Sequence, residues 1–185
     1  MLDIKFDGNS IRDIQARIKQ YQKLIKIVNE QFIIESLEWI RDKANDNLEN
    51  RVGYFAGTLN LREYWQITKT SENTYELRNT NEKGAYVEFG TGIVGYGSHE
   101  KADEVRYEYD VNNHGAFGWN WYNEKDGYLV KGFTGYEGKS FLWDAFFDYY
   151  SNGEFAKIYE RIYRQIIGLS WIGVIKVYVK HKSWK

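Results

Sequence analysis

The chain of 185 residues contains no cysteine, no proline and a single methionine. The missing cysteine excludes a disulfide framework, a thiolate metal site and a cysteine nucleophile. Excess charge of one sign is also lacking. With 25 basic and 26 acidic residues, the formal net charge of -1 provides no overall field to draw the chain onto nucleic acid or an anionic membrane, so any such contact has to come from a local patch. Apolar runs are short, and none reaches the roughly 18 to 20 residues of a membrane helix. The opening Met1-Leu2-Asp3-Ile4-Lys5 has no signal-peptide core. These absences lead to the expectation of a soluble, intracellular protein with no membrane partner.

Aromatics are abundant, at 18% of the chain with 16 Tyr and 7 Trp. Such side chains fill a core, stack on sugars or anchor protein interfaces. The length suits one domain, residues 1–185, with or without a projecting extension.

Ser10 is placed to cap a helix, with Asp13 three residues on. Ile11, Ile14, Ile18, Tyr21, Ile25, Val28 and Phe32 fall alternately three and four apart, the seam of a helix that packs along its length. Ile33, Leu37, Ile40, Ala44 and Leu48 form a second stripe in another phase, which predicts a helical pair or a long helix kinked near Asn29 to Gln31. Beyond Gly53 the period changes. Tyr64 to Thr68 and Thr74 to Arg78, separated by Ser71-Glu72-Asn73, read as a hairpin. A third strand is expected over Ala85 to Phe89, with Glu88 on its polar face. Residues 93–139 are rich in Gly, Tyr and Trp, and too long for a structureless loop. They predict a β-rich projecting arm, with one strand at Val105, Tyr107, Tyr109 and Val111. Helical spacing returns at Phe141 to Tyr149, breaks at Asn152-Gly153 and resumes at Phe155 to Ile166. Ile175, Val177 and Val179 then alternate with Lys176, Tyr178 and Lys180, which predicts a final strand within a basic tail, 173–185. The fold class expected is α+β, with a small, mostly antiparallel sheet.

Gly90, Gly92 and Gly95 spell G-x-G-x-x-G after the strand-like stretch, the order that cradles a dinucleotide. However, the glycines open more loop, Tyr96-Gly97-Ser98, where that motif requires a helix in a βαβ unit. His99 lies near Glu100, Asp103 and Glu104 but has no second nitrogen ligand nearby, so a solvated loop is the favoured reading over a metal site. Acids beside aromatics (Glu88, Glu108, Asp110, Glu124, Asp126) are the ingredients of a glycosidase, though in this composition such neighbours are inevitable. No G-x-S-x-G elbow or phosphate-binding G-x-x-x-x-G-K-[ST] is present. No catalytic residue, metal ligand or cofactor is assigned.

Several elements taken in order carry a resemblance: Ala56-Gly57-Thr58-Leu59, a hairpin, Tyr86-Val87-Glu88-Phe89-Gly90-Thr91-Gly92, the aromatic Trp119-Asn120-Trp121-Tyr122, and Ser140-Phe141-Leu142-Trp143-Asp144-Ala145. Over residues 10 to 165 this resembles the HK97-like family of tailed-phage neck and tail-completion proteins, with its "TG-x-L" step, "Y-x-EFGTG" element and "PF-[LM]-x-x-A" helix start. Ala56 replaces the threonine of the first motif, and Ser140 the proline of the last. The resemblance implies a non-enzymatic virion protein, assembled in the host cytoplasm. It would form a homo-oligomeric ring of six subunits between head-closure or connector proteins and the tail tube or tail terminator, with DNA passing through the lumen without sequence-specific binding. Gly90 and Gly92 would then form the turn out of the strand. Glu88, Tyr107, Tyr109, Trp119, Trp121, Tyr122, Ile175, Val177 and Val179 would lie at subunit or partner interfaces. The alternative is a carbohydrate- or ligand-binding module, with or without glycoside hydrolase activity, that stacks sugars on Trp119, Trp121 and Tyr122.

Overall fold

The computed structural model describes residues 8–51, 60–110, 115–123 and 127–168, with the side chains of 8–10, 121 and 123 left aside. The "TG-x-L" counterpart at 56–59, the end of the 105–111 stretch and the final strand with Ile175, Val177 and Val179 lie outside these residues. The protein is α+β, with helices and, among the described residues, three two-stranded antiparallel sheets.

The first helix, α1 (Gly8–Arg51), runs without interruption for 44 residues. No break occurs near Asn29 to Gln31. From Asn9 to Arg51 there is neither proline nor glycine, so nothing interrupts the hydrogen-bond ladder. A slipped apolar stripe changes which side of a helix is covered, not its backbone. Ser10 lies inside this helix and is not its cap.

The described residues form two compact units, one within Leu37–Asn152 and a second made of residues 8–36 with 153–168. In the first unit, the later part of α1 buries Ile40, Ala44 and Leu48, one row at intervals of four. Leu61 is fully enclosed, in a 3-10 turn (Leu61–Glu63) that leads to the expected hairpin of β1 (Trp65–Ser71) and β2 (Thr74–Asn79). Trp65 pairs with Asn79 and Ile67 with Leu77, and the half-buried positions alternate along both strands as a one-sided sheet requires.

The predicted third strand is instead a helix, α2 (Lys83–Phe89). Its buried residues, Gly84, Val87 and Glu88, follow the i, i+3, i+4 spacing of a helical face, so the apparent alternation of Ala85, Val87 and Phe89 misled. Asn81 Oδ1 accepts the Lys83 N–H at 2.9 Å and starts the helix. Then come β3 (Gly90–Thr91) and a single helical turn, α3 (Gly92–Gly95).

The strand expected from Val105 is absent over the described residues 105–110. Residues 101–106 are turns, closed by Tyr107 N–H to Ala102 O (2.9 Å) and Arg106 N–H to Asp103 O (3.2 Å). Arg106 sits in the left-handed region at φ 54°, the position of a helix C-terminal cap of the Schellman type. An alternating pattern with no partner strand does not make a sheet. Further along, the excursion forms a hairpin, β4 (Trp119–Asn123) with β5 (Tyr128–Phe133), and a short strand β6 (Gly135–Glu137) that pairs with β3.

Helix α4 (Phe141–Ser151) closes this unit against α1 through residues four apart. Trp39 meets Tyr149 with ring centroids 5.8 Å apart, and Lys43 pairs with Asp148 at 3.3 Å. Asn47 donates to Phe141 O at 2.9 Å, and Arg51 pairs with Asp144. Phe141 is the largest fully enclosed side chain of the unit, and its burial contributes about 1.5 to 3 kcal/mol. In the second unit, α5 (Glu154–Tyr163) buries Ile158 and Ile162. Its Tyr159 meets Phe32 edge-on at 5.3 Å, and its Arg161 pairs with Glu35. A π-helical turn, Arg164–Gly168, follows and buries Ile167.

Candidate functional site

The clearest constellation surrounds Glu88, at the end of α2. Expected at a subunit or partner boundary, Glu88 is instead enclosed, at 6% exposure. The cause is local. Lys139 N–H donates to Val87 O (2.9 Å) and Ser140 N–H to Glu88 O (3.2 Å), which lays the approach to α4 across the end of α2. Ser140 precedes α4 with φ 45° and makes no side-chain capping bond, so the first amide groups of that helix need another acceptor. Glu88 supplies it: Oε2 accepts from Leu142 N–H at 2.8 Å and Oε1 from Trp143 N–H at 2.9 Å. A carboxylate at a helix N-terminus also meets the positive end of the helix dipole.

The third donor to Glu88 is His99, whose Nε2 lies 3.2 Å from Oε1. His99 is 4% exposed and packs edge-on against Phe89 at 4.6 Å. Its Nδ1 accepts the Lys101 N–H at 3.0 Å, so in the neutral ring the proton sits on Nε2 and points at Glu88. Both ring nitrogens are therefore engaged within the chain. Asp103, considered as a fellow ligand, is exposed, and no group of three potential ligands is present among the described residues. The arrangement is built to hold three segments together and leaves no ring nitrogen facing a reactant.

The glycines pack backbone against backbone. Gly90 (φ 90°) and Gly92 (φ 60°) both adopt left-handed conformations. A Cβ on Gly90 would lie 2.6 Å from Gly138 N, and one on Gly92 would lie 2.3 Å from Thr134 O. Gly90 pairs with Glu137 and Thr91 with Tyr136. The amide donors a phosphate would require are already used, since Gly92 N–H bonds Tyr109 O (2.6 Å) and Val94 N–H bonds Thr134 O (3.3 Å). Ser98 Oγ fastens this layer, donating to Gly95 O at 2.7 Å and accepting from Gly138 N–H at 2.8 Å.

Tyr107 and Tyr109 pack around this segment. Tyr107 donates to Gly90 O at 2.9 Å and stacks on Phe89 at 4.7 Å. Burial, with Tyr136, Tyr86 and Tyr109 nearby, pushes its phenol well above the ordinary tyrosine range. Burial likewise pushes Tyr136 up to about 12. Trp119 is half-buried and meets Phe133 edge-on at 4.9 Å, while Tyr122 is exposed. Trp121 holds its place in β4 opposite Val130. Of the residues named from sequence, then, Glu88, Gly90, Gly92, Tyr107 and Tyr109 converge on one region. His99, read from sequence as part of a solvated loop, is buried among them, and Ser98 and the first turn of α4 complete the region. Nothing around His99 in the sequence marks it as buried, whereas the spacing of Gly84, Val87 and Glu88 was there to be read as a helix face.

Comparison of the chain with models of protein families, with curated proteins and with solved structures gives no match. No helix among the described residues is long and apolar enough to cross a membrane.

Proposed function

We propose that the protein is a structural subunit of a tailed phage or phage-like particle, a neck or tail-completion protein that joins the head-closure complex to the tail tube as a ring of identical copies. The observation that supports this most is the bond between two of the motif elements behind the resemblance. Glu88 of "YVEFGTG" caps the helix opened by "SFLWDA", 54 residues further on. A purely structural role agrees with a carboxylate and an imidazole whose hydrogen-bonding capacity is spent on their own chain. Exposed aromatics on the excursion, such as Phe117 at 93% and Tyr122 at 55% exposure, suit contacts with neighbouring subunits. The carbohydrate-binding alternative is weaker, because Trp119 packs on Phe133 and does not stand out as a stacking platform.

Imaging of purified particles with an antibody against this protein tests the role. Label at the junction of head and tail is expected. Intact particles without label, with the protein left in the soluble fraction, would refute it.

A further inference from the structure

An open groove of about 500 Å³ lies beside the glycine segment, lined by Ile93, Tyr96, Tyr107, Glu108, Tyr109 and Asp110. Its aromatic walls are set at angles: Tyr96 and Tyr109 meet at 60° with centroids 5.6 Å apart, and Tyr107 and Tyr109 at 89° and 5.1 Å. The faces of aromatic rings carry negative electrostatic potential, and two carboxylates stand with them, Glu108 and Asp110, the second already accepting the Gly115 N–H at 2.6 Å. No lysine or arginine is among the described residues that line the groove. Elsewhere the chain satisfies such surfaces internally, with Lys69 over Tyr75 at 5.2 Å and Lys101 over Trp143 at 5.0 Å. Tyr109 adds a buried hydroxyl with no hydrogen-bond partner among the described residues, and Tyr96 is left 80% exposed at the rim.

We infer that this groove is a receptor for a basic side chain, an arginine or lysine presented by a partner protein, held by the tyrosine rings and by the carboxylate of Glu108, with the charge of Asp110 beside them. Arginine fits best, because its planar guanidinium stacks on a ring while donating to a carboxylate at its edge. A neck subunit would take this side chain from a neighbouring ring component. The chemistry of the groove does not depend on that role, so particle imaging and the titration below succeed or fail separately.

The test uses the isotope-labelled full-length chain, titrated by NMR with N-acetylarginine amide and, in parallel, with N-acetylcitrulline amide, which has nearly the same shape but no charge. The arginine compound is expected to shift the amide signals of Gly92, Gly95 and Tyr96, with an affinity at least about five-fold above that of the citrulline compound. The shifts should weaken at high salt and with Glu108→Gln, and should be lost with Tyr96→Leu, which keeps apolar bulk at an exposed site and leaves the rest of the spectrum unchanged. Equal binding of the two compounds would identify an ordinary apolar ledge and overturn the inference. So would the absence of shifts at roughly 50 mM arginine compound, well beyond the range in which a working contact is weak.

Discussion

Replacing Glu88 should do more damage than replacing any exposed acid. Glu88→Ala leaves the Leu142 and Trp143 amide groups, now 2.8 and 2.9 Å from a carboxylate oxygen, without an acceptor in a part-buried place. Each such loss costs about 1 to 3 kcal/mol. The negative charge at the start of α4 disappears as well, a contribution of up to about 2 kcal/mol, and His99 Nε2–H loses its partner. These terms overlap, and breaking a buried charged cluster by removing one member typically costs about 3 to 5 kcal/mol; that is the expected loss here. Glu88→Gln should cost less, about 2 to 3 kcal/mol, because one carbonyl oxygen remains while the new NH2 group opposes a backbone donor. Urea unfolding followed by tryptophan fluorescence and circular dichroism measures both, and the alanine variant should lower the midpoint by roughly 2 M. Glu137→Ala, on an exposed strand position, serves as the control and should stay within about 0.5 kcal/mol of the parent. A loss below about 1 kcal/mol for Glu88→Ala would refute the assignment of Glu88 as the cap of α4.

Ser140 has φ 45°, a conformation that glycine takes freely and proline cannot take, so thermal melts should show Ser140→Gly stabilised by about 0.5 to 1 kcal/mol. Ser140→Pro should be destabilised by about 3 kcal/mol or more, because the ring fixes φ near -65° and removes the N–H that meets Glu88 O. At alkaline pH the half-buried tyrosines Tyr107 and Tyr136 should weaken the fold. Tyr136 is raised from 10 to about 12, so its contribution is complete below pH 10, where the phenol is neutral in folded and unfolded chains alike, and is lost as the pH rises through about 12. Absorbance of tyrosinate across the 16 tyrosines should show a late fraction that ionises only with loss of the circular dichroism signal. Ionisation of all of them near pH 10 with the fold intact would contradict the burial of Tyr136.

Long, periodic elements were legible in the sequence and short, context-dependent ones were not. The hairpin β1–β2 and the break between α4 and α5 follow from alternation, from apolar spacing and from Asn152-Gly153, signals that act within a few residues. The stretch Ala85–Phe89 is ambiguous because seven helical residues span only two turns, and β-branched and aromatic residues bias such a segment towards strand. What decides it is distant: the backbone around residue 139, which accepts no sequence-local explanation, lies against α2 and encloses Glu88. Val105 to Asp110 alternates well but has no partner strand among the described residues, and Arg106 takes a left-handed cap position that sequence gives little reason to expect of an arginine. His99 was the least legible residue, since nothing near it announces that its acceptor lies 11 positions back.

The glycine-rich segment and the buried carboxylate answer one structural requirement. A residue caps its own helix from an extended backbone conformation, and Ser140, left-handed at φ 45°, is not in one. The cap for α4 must then come from outside, and it must come from an element close enough for an acid to reach two consecutive amides. The end of α2 is that close only because the chain beyond Glu88 turns away at once and passes backbone to backbone beside residues 134–138. Gly90 makes this possible, since any Cβ there would lie 2.6 Å from Gly138 N. Glutamate and glycine are thus tied by geometry within two residues of each other: moving the glycine would move the acid off the helix, and losing the acid would remove the reason for the close approach.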